Sequence, residues 1–320
     1  MAHCSKNDFP TLDQVLSEMK LAENSKKKYS ANVKIITNAL KMQEEPRLIW
    51  INRTAWIIKF IIKSSYSVAT KKSIFITLYS ICLTMEKMGS KCLYRRTSQL
   101  YKQQMESFRD MNNAQMDENK VEDTDNIISM KELQKVCLEL PGFPFMEALK
   151  KCILALYVFL PPLRLDYTDM KIYNRPVSSE NNHIIFNSQY FQIVLNEYKT
   201  KKTFGTFKSP RVERIQPLYL IIEGYMHIRA KLVGDDDNKI FLIDDQKKPI
   251  NKAQLAKLLT QTIQDETGKR IGVTRLRRIY ETELIQSPEY SRMSLAEKKR
   301  EHERLLHSFN TAQQYNIVDI

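Results

Sequence analysis

The sequence predicts a mainly α-helical protein with one small β-sheet, arranged in two domains. Three observations point there. Only seven glycines occur in 320 residues. Apolar residues recur at helical spacing through most of the chain, and a short acidic break from 112 to 127 interrupts that spacing. The break separates a helical domain, residues 1–111, from an α+β domain, residues 128–320, each long enough to bury its own core.

In the first domain, Thr11 precedes Leu12, Val15, Leu16 and Met19, and Gln14 stands three residues on, the pattern of a capped amphipathic helix. Ser25 is the expected start of a second helix, with Tyr29, Val33, Ile36 and Leu40 on one face. Its first turn carries Lys26, Lys27 and Lys28, the unfavourable sign for a helix N-terminus. That placement suits either a phosphate partner or an ordinary solvated face. A third helix is expected from Leu48 to Ile62, its aromatic residues in the core, and a fourth after Thr70. A polar helix from Tyr94 to Met111 closes the bundle. From 112 to 127 the apolar period lapses and Asp117, Glu118, Glu122, Asp123 and Asp125 gather, as in a solvated linker.

The second domain opens with a helix capped by Ser129, then a strongly apolar helix ending near Leu160. Arg164 follows at once, and a guanidinium beside a buried helix needs a defined partner: Asp166, Asp169 or a bound phosphate. Three short extended runs come next, Met170 to Tyr173, His183 to Phe186 and Phe191 to Asn196. A hairpin with a basic tip at Lys199, Lys201 and Lys202 then returns through Arg211 to Ile215. Further helices are expected from Pro217 to Leu232, from Asn251 (with Gln254 as its capping partner) to Gln264, and from Val273 to Ile285. Asp235, Asp236 and Asp237 make an acidic turn, and Ser291 to Arg304 is highly charged.

Lysine and arginine number 50 against 37 acidic residues, a formal charge of +13 that favours a polyanionic partner. Five cysteines without a CxxC pair argue against a disulfide framework or a structural zinc, and fit a reducing, intracellular compartment. The opening residues lack the apolar core of a secretory leader, and no apolar run reaches the roughly 20 residues of a membrane span.

Five short stretches lie in an order that resembles the tyrosine recombinase (phage-integrase-like) family, with wording nearest to integrase-like proteins of large DNA viruses. Leu163-Arg164-Leu165-Asp166 resembles the first arginine box, and Lys199 in Tyr198-Lys199-Thr200 resembles the hairpin lysine. Leu276-Arg277 with Tyr280 is similar to the second arginine box, and Leu306-His307-Ser308 to the leucine-glycine-histidine-serine segment. Tyr315 falls eight residues later, where the nucleophile belongs. Thr274 stands where the family commonly has histidine, Leu306 replaces a glycine, and Pro288 to Arg304 resembles an insertion.

The resemblance implies a SAM-like core-binding bundle joined to a tyrosine-recombinase catalytic domain, the two clamping double-stranded DNA. It implies catalytic roles for Arg164, Lys199, Arg277, His307 and Tyr315, a 3′-phosphotyrosyl intermediate, no metal and no nucleotide cofactor. It also implies four protomers on paired sites, no membrane partner, and an intracellular, DNA-associated location in the host nucleus or cytoplasm during infection. A type IB topoisomerase-like relaxation activity and a catalytically silent DNA-binding protein of the same fold are the alternatives.

Overall fold

Side-chain caps start helices at Thr11, Ser67, Ser129, Asn251, Ser287 and Ser294. The computed structural model describes residues 5–94, 96–122, 128–234 and 239–306, the side chains of 116–122 excepted. The chain divides into two compact units, Met1–Asn119 and Lys120–Ile320. It is mainly helical, with a small mixed five-stranded sheet in the second unit.

Helix α1 (Leu12–Glu18) begins at the expected box: Thr11 Oγ1 accepts from the Gln14 amide at 3.2 Å, and Gln14 Oε1 accepts from the Thr11 amide at 2.8 Å. Helix α2 (Glu23–Leu40) starts two residues before Ser25. Glu23 fills the first position, where a carboxylate suits the helix dipole, and pairs with Lys26 at 3.3 Å. The lysine run therefore begins at the fourth residue, where the dipole opposes it far less than expected.

The single helix expected from Leu48 to Ile62 is instead a 3-10 turn, Ile49–Asn52, followed by helix α3 (Thr54–Lys63). Asn52 makes the break. Its side chain donates to the Cys92 carbonyl at 2.7 Å and accepts from the Tyr94 amide and the Thr97 hydroxyl, each at 3.0 Å. Trp50 is core at 1% exposure, but Trp56 stands on the outer face at 42%, contrary to expectation.

Ser67 caps helix α4 (Val68–Lys87), which packs against α2. The buried Asn32 amide fastens the two, donating to the Ser73 carbonyl at 3.1 Å and Thr77 Oγ1 at 2.8 Å. Replacing Asn32 by Ala should cost about 1–3 kcal/mol, because the partners lose a buried donor. A denaturation midpoint equal to the wild type's would refute that. Helix α5 (Thr97–Glu122) runs well past Met111. Tyr101, Met105 and Phe108 bury its first half, and no Gly or Pro interrupts the strong helix formers that follow. The first part of the expected acidic linker is thus helical, and residues 123–127 lie outside the described residues.

The second unit begins with helix α6 (Met130–Glu139), capped by Ser129. Helix α7 (Phe145–Val158) is apolar around most of its circumference and is buried over nearly its whole length. The sheet follows. Strand β1 (Lys171–Tyr173) pairs parallel with β2 (His183–Phe186), and β3 (Tyr190–Leu195) runs antiparallel to β2 with Ile184 opposite Ile193. A short helix α8 (Lys201–Phe204) forms the basic tip, and Gly205 at φ +68° turns the chain back. Strands β4 (Phe207–Lys208) and β5 (Val212–Glu213) then pair with β3.

Helix α9 (Pro217–Val233) packs on α7, and the acidic turn at Asp235 to Asp237 lies outside the described residues. Phe241, Leu242 and Ile243 are buried beside β1, held by a 2.7 Å bond from the Phe241 amide to the Met170 carbonyl. Asn251 and Gln254 form the expected box at the start of α10 (Lys252–Thr267), which also packs on α7. Helices α11 (Val273–Gln286), α12 (Pro288–Arg292) and α13 (Leu295–Glu303) complete the unit. The Met130 amide donates to Glu283 at 2.8 Å and so ties α6 to α11. Cys82, Cys92, Cys137 and Cys152 are buried.

Candidate active site

The loop after α7 is pinned by two tyrosines. Tyr157 Oη donates to the Arg164 carbonyl at 2.7 Å, and Tyr167 Oη to the Leu156 carbonyl at 3.2 Å, with the two rings edge-to-face at 5.1 Å. Burial pushes both phenols above their ordinary range, which keeps them as O–H donors. The backbone of Arg164 is therefore fixed to the most buried helix of the unit.

Arg277, on α11, is only 2% exposed. Its Nη1 donates to the Pro162 carbonyl and its Nη2 to the Leu305 carbonyl at 2.8 Å. Arg164 is half-buried, and its Nη1 donates to the next carbonyl along, that of Leu306, at 3.2 Å. Thr200, at the basic tip, donates to the same carbonyl at 3.0 Å. Three segments far apart in sequence thus meet on two consecutive peptide groups. Leu306 has φ +55°, the left-handed region where glycine is unstrained and another residue costs about 1–2 kcal/mol. A leucine stands where a glycine was expected, but the backbone keeps the glycine-like conformation, and its buried side chain offsets the strain.

The two candidate acids separate clearly. Asp169 is exposed, whereas Asp166 is buried beside Arg164, Arg277 and Lys252. Burial raises its carboxyl above the ordinary range, and the three cations only partly counter that. Because the folded-state value is raised, its stabilising contribution exists at acidic pH and is lost as pH rises through the raised value. Asp166→Asn should therefore melt above the wild type at neutral pH, with the gap closing below the ordinary carboxylate range. Thermal scans across pH check this, and a lower midpoint for the variant at neutral pH contradicts it.

Lys199 is exposed at the entry to the tip. Of its neighbours, Lys201 pairs with Glu197 at 2.6 Å, while Lys202 and Lys208 are exposed. Thr274 is exposed in the first turn of α11, one turn before Arg277. His307 and Tyr315 lie outside the described residues. Among the described residues, no three His, Cys, Asp or Glu side chains gather to ligate a metal ion.

A buried network that sequence reading missed supports this arrangement. His302 and Glu281 are both 0% exposed, and His302 Nδ1 lies 2.9 Å from Glu281 Oε2. On the other side of the ring, Nε2 lies 2.7 Å from Tyr290 Oη. The three side chains come from α11, α12 and α13, and Leu305 and Leu306 directly follow α13. Ser294 and Glu297 form a capping box at the start of α13, a signal present in the charged segment all along. The stretch Pro288 to Arg304 is thus packed into the unit rather than looped away from it.

No protein-family model matches the chain, and a search of curated proteins returns no match. Among the described residues, no helix is long and apolar enough to cross a membrane.

Proposed function

We propose that this chain is a site-specific DNA recombinase or integrase that cuts and rejoins strands through a 3′-phosphotyrosyl intermediate. The carrying observation is the meeting of Arg164, Arg277 and the Lys199–Thr200 tip on the carbonyls of Leu305 and Leu306, the residues that lead into His307. In this reading the N-terminal unit is the core-binding bundle, the second unit is the catalytic domain, and each binds double-stranded DNA.

The chemistry follows from the side chains. Tyr315 Oη attacks the scissile phosphorus, the bond to the 5′ oxygen breaks, and the ammonium of Lys199 hands that oxygen its proton. An unperturbed tyrosine ionises near pH 10, so attack at neutral pH requires positive charge held around the phosphate. Arg164, half-buried, takes a non-bridging oxygen as a planar donor pair. Arg277 is committed to two carbonyls, so it contributes fixed charge from beneath and holds the loop of Arg164 against the segment entering His307. His307 hydrogen-bonds the phosphate or takes the tyrosine proton, and Thr274 donates to a phosphate oxygen in place of the usual histidine. One phosphodiester bond is exchanged for another, so rejoining consumes no ATP. Recombination between two sites engages four protomers.

A nicked suicide duplex tests the proposal. The wild-type protein should form a covalent adduct at the 3′ phosphate, and Tyr315→Phe should form none. An adduct in Tyr315→Phe removes the nucleophile assignment. Supercoil relaxation without exchange between two sites moves the activity to the topoisomerase-like alternative.

A further inference from the structure

The first unit carries a surface that the strand-transfer chemistry does not use. On α3, Trp56, Lys59, Phe60 and Lys63 follow one another at positions i, i+3, i+4 and i+7, so they share one face, while Ile57 and Ile61 fill the core behind it. The Trp56 and Phe60 rings are stacked, with centroids 5.3 Å apart and planes 9° from parallel. With Lys59, Lys63 and Ser64 they line an open groove of about 320 Å³. Trp56 is well exposed, an unusual position for the largest apolar side chain.

The charged residues that line this groove, Lys59 and Lys63, have one sign. From Pro46 to Met85 the sequence contains no aspartate or glutamate, but it contains Arg47, Arg53, Lys59, Lys63, Lys71 and Lys72. A second copy of the same face would set these cations against themselves, because a two-fold interface places the same patch on both partners. A polyanion is attracted instead. Duplex base edges are read by convergent hydrogen-bonding groups, of which this pair offers only the single indole N–H of Trp56, whereas the faces of unpaired bases stack on aromatic rings while nearby cations hold the phosphates.

We infer that the Trp56–Lys59–Phe60–Lys63 face of α3 binds unpaired nucleotides, stacking a base on the aromatic pair with Lys59 and Lys63 on the flanking phosphates. The inference does not depend on the strand-transfer reading, and either can fail alone.

The chain contains two tryptophans, and Trp50 is buried beyond contact with a ligand, so quenching by a stacked base reports on Trp56. Titrating the full-length protein with a short oligothymidylate should quench that fluorescence, and a duplex of equal length should quench it much less. Trp56→Ala, followed by the anisotropy of a labelled oligothymidylate, should weaken single-strand binding by roughly 5- to 150-fold, the equivalent of about 1–3 kcal/mol per stacked base. Lys59→Gln with Lys63→Gln should lower the slope of log affinity on log salt by about 1.4. An oligouridylate series separates RNA from DNA as the source of the bases, and binding of either supports the site. No quenching at saturation, unchanged single-strand affinity in Trp56→Ala, or equal quenching by duplex overturns it. So does a concentration-dependent dimer that Trp56→Ala abolishes, since that places a second copy on the face.

Discussion

Replacing Arg277 by alanine should lower the stability of the second unit by about 3–5 kcal/mol, and its melting midpoint by roughly 6–20 °C. The guanidinium is almost wholly buried and donates to the carbonyls of Pro162 and Leu305. Removing it strands two buried acceptors and withdraws a cation from beside the buried Asp166 carboxylate. A second variant separates this structural part from chemistry. Arg277→Lys keeps the charge but replaces a planar fork by a point donor, which cannot serve both carbonyls in the same geometry. It should melt between the wild type and Arg277→Ala, and bind duplex DNA with nearly unchanged affinity. Covalent adduct formation should fall roughly 100-fold, the scale of a misplaced catalytic group, because the loop that presents Arg164 is held less firmly. Calorimetry and single-turnover cleavage measure the two effects. An Arg277→Ala protein that melts like the wild type would show that the segment at Leu305 and Leu306 is held by other contacts.

What could be read from the sequence was mostly local. The boxes at Thr11 with Gln14 and at Asn251 with Gln254 are three-residue patterns, and the structure holds both. The three extended runs before the basic tip became strands close to their expected bounds, because the apolar residues of β2 and β3 have a shared core to face. Errors arose where a distant partner decided. Asn52 divided one expected helix through bonds to residues 40 or more positions away, and that division is where the chain turns Trp50 inward and leaves Trp56 out. At α2, Glu23 outcompeted Ser25 as the starting point because a carboxylate in the first turn also finds Lys26. The site shows the same division. Arg164 and Arg277 stand out in sequence because each adjoins an apolar helix. That both would bond to consecutive carbonyls, with Leu306 in a left-handed conformation between them and the tip, depends on contacts more than 100 residues apart for Arg164 and Thr200.

The buried histidine network should give the second large effect. Glu281 is acceptor-only when ionised, so His302 Nδ1 carries the hydrogen between them, and the remaining ring nitrogen is left for Tyr290. Glu281→Ala removes one member of a fully buried charged-group contact and should cost about 3–5 kcal/mol. Tyr290→Phe removes a single hydroxyl and should cost about 1–3 kcal/mol. The two losses should not add. Once Glu281 is gone the ring is free to turn and the Tyr290 bond loses its alignment, so a double-mutant cycle should return a coupling of about 0.5–3 kcal/mol. The consequence for the site is mechanical. His302 sits in the last turn of α13, and the Leu305 amide donates to its carbonyl at 3.1 Å, so loosening the ring loosens the peptide groups that Arg164 and Arg277 grip. Tyr290→Phe should therefore slow adduct formation while leaving the affinity for duplex DNA near that of the wild type. Additive losses in the cycle would remove the coupling between the three side chains. A Tyr290→Phe protein that cleaves at the wild-type rate, beside an active wild type, would confine the network to stability and leave the two arginines to position the segment alone.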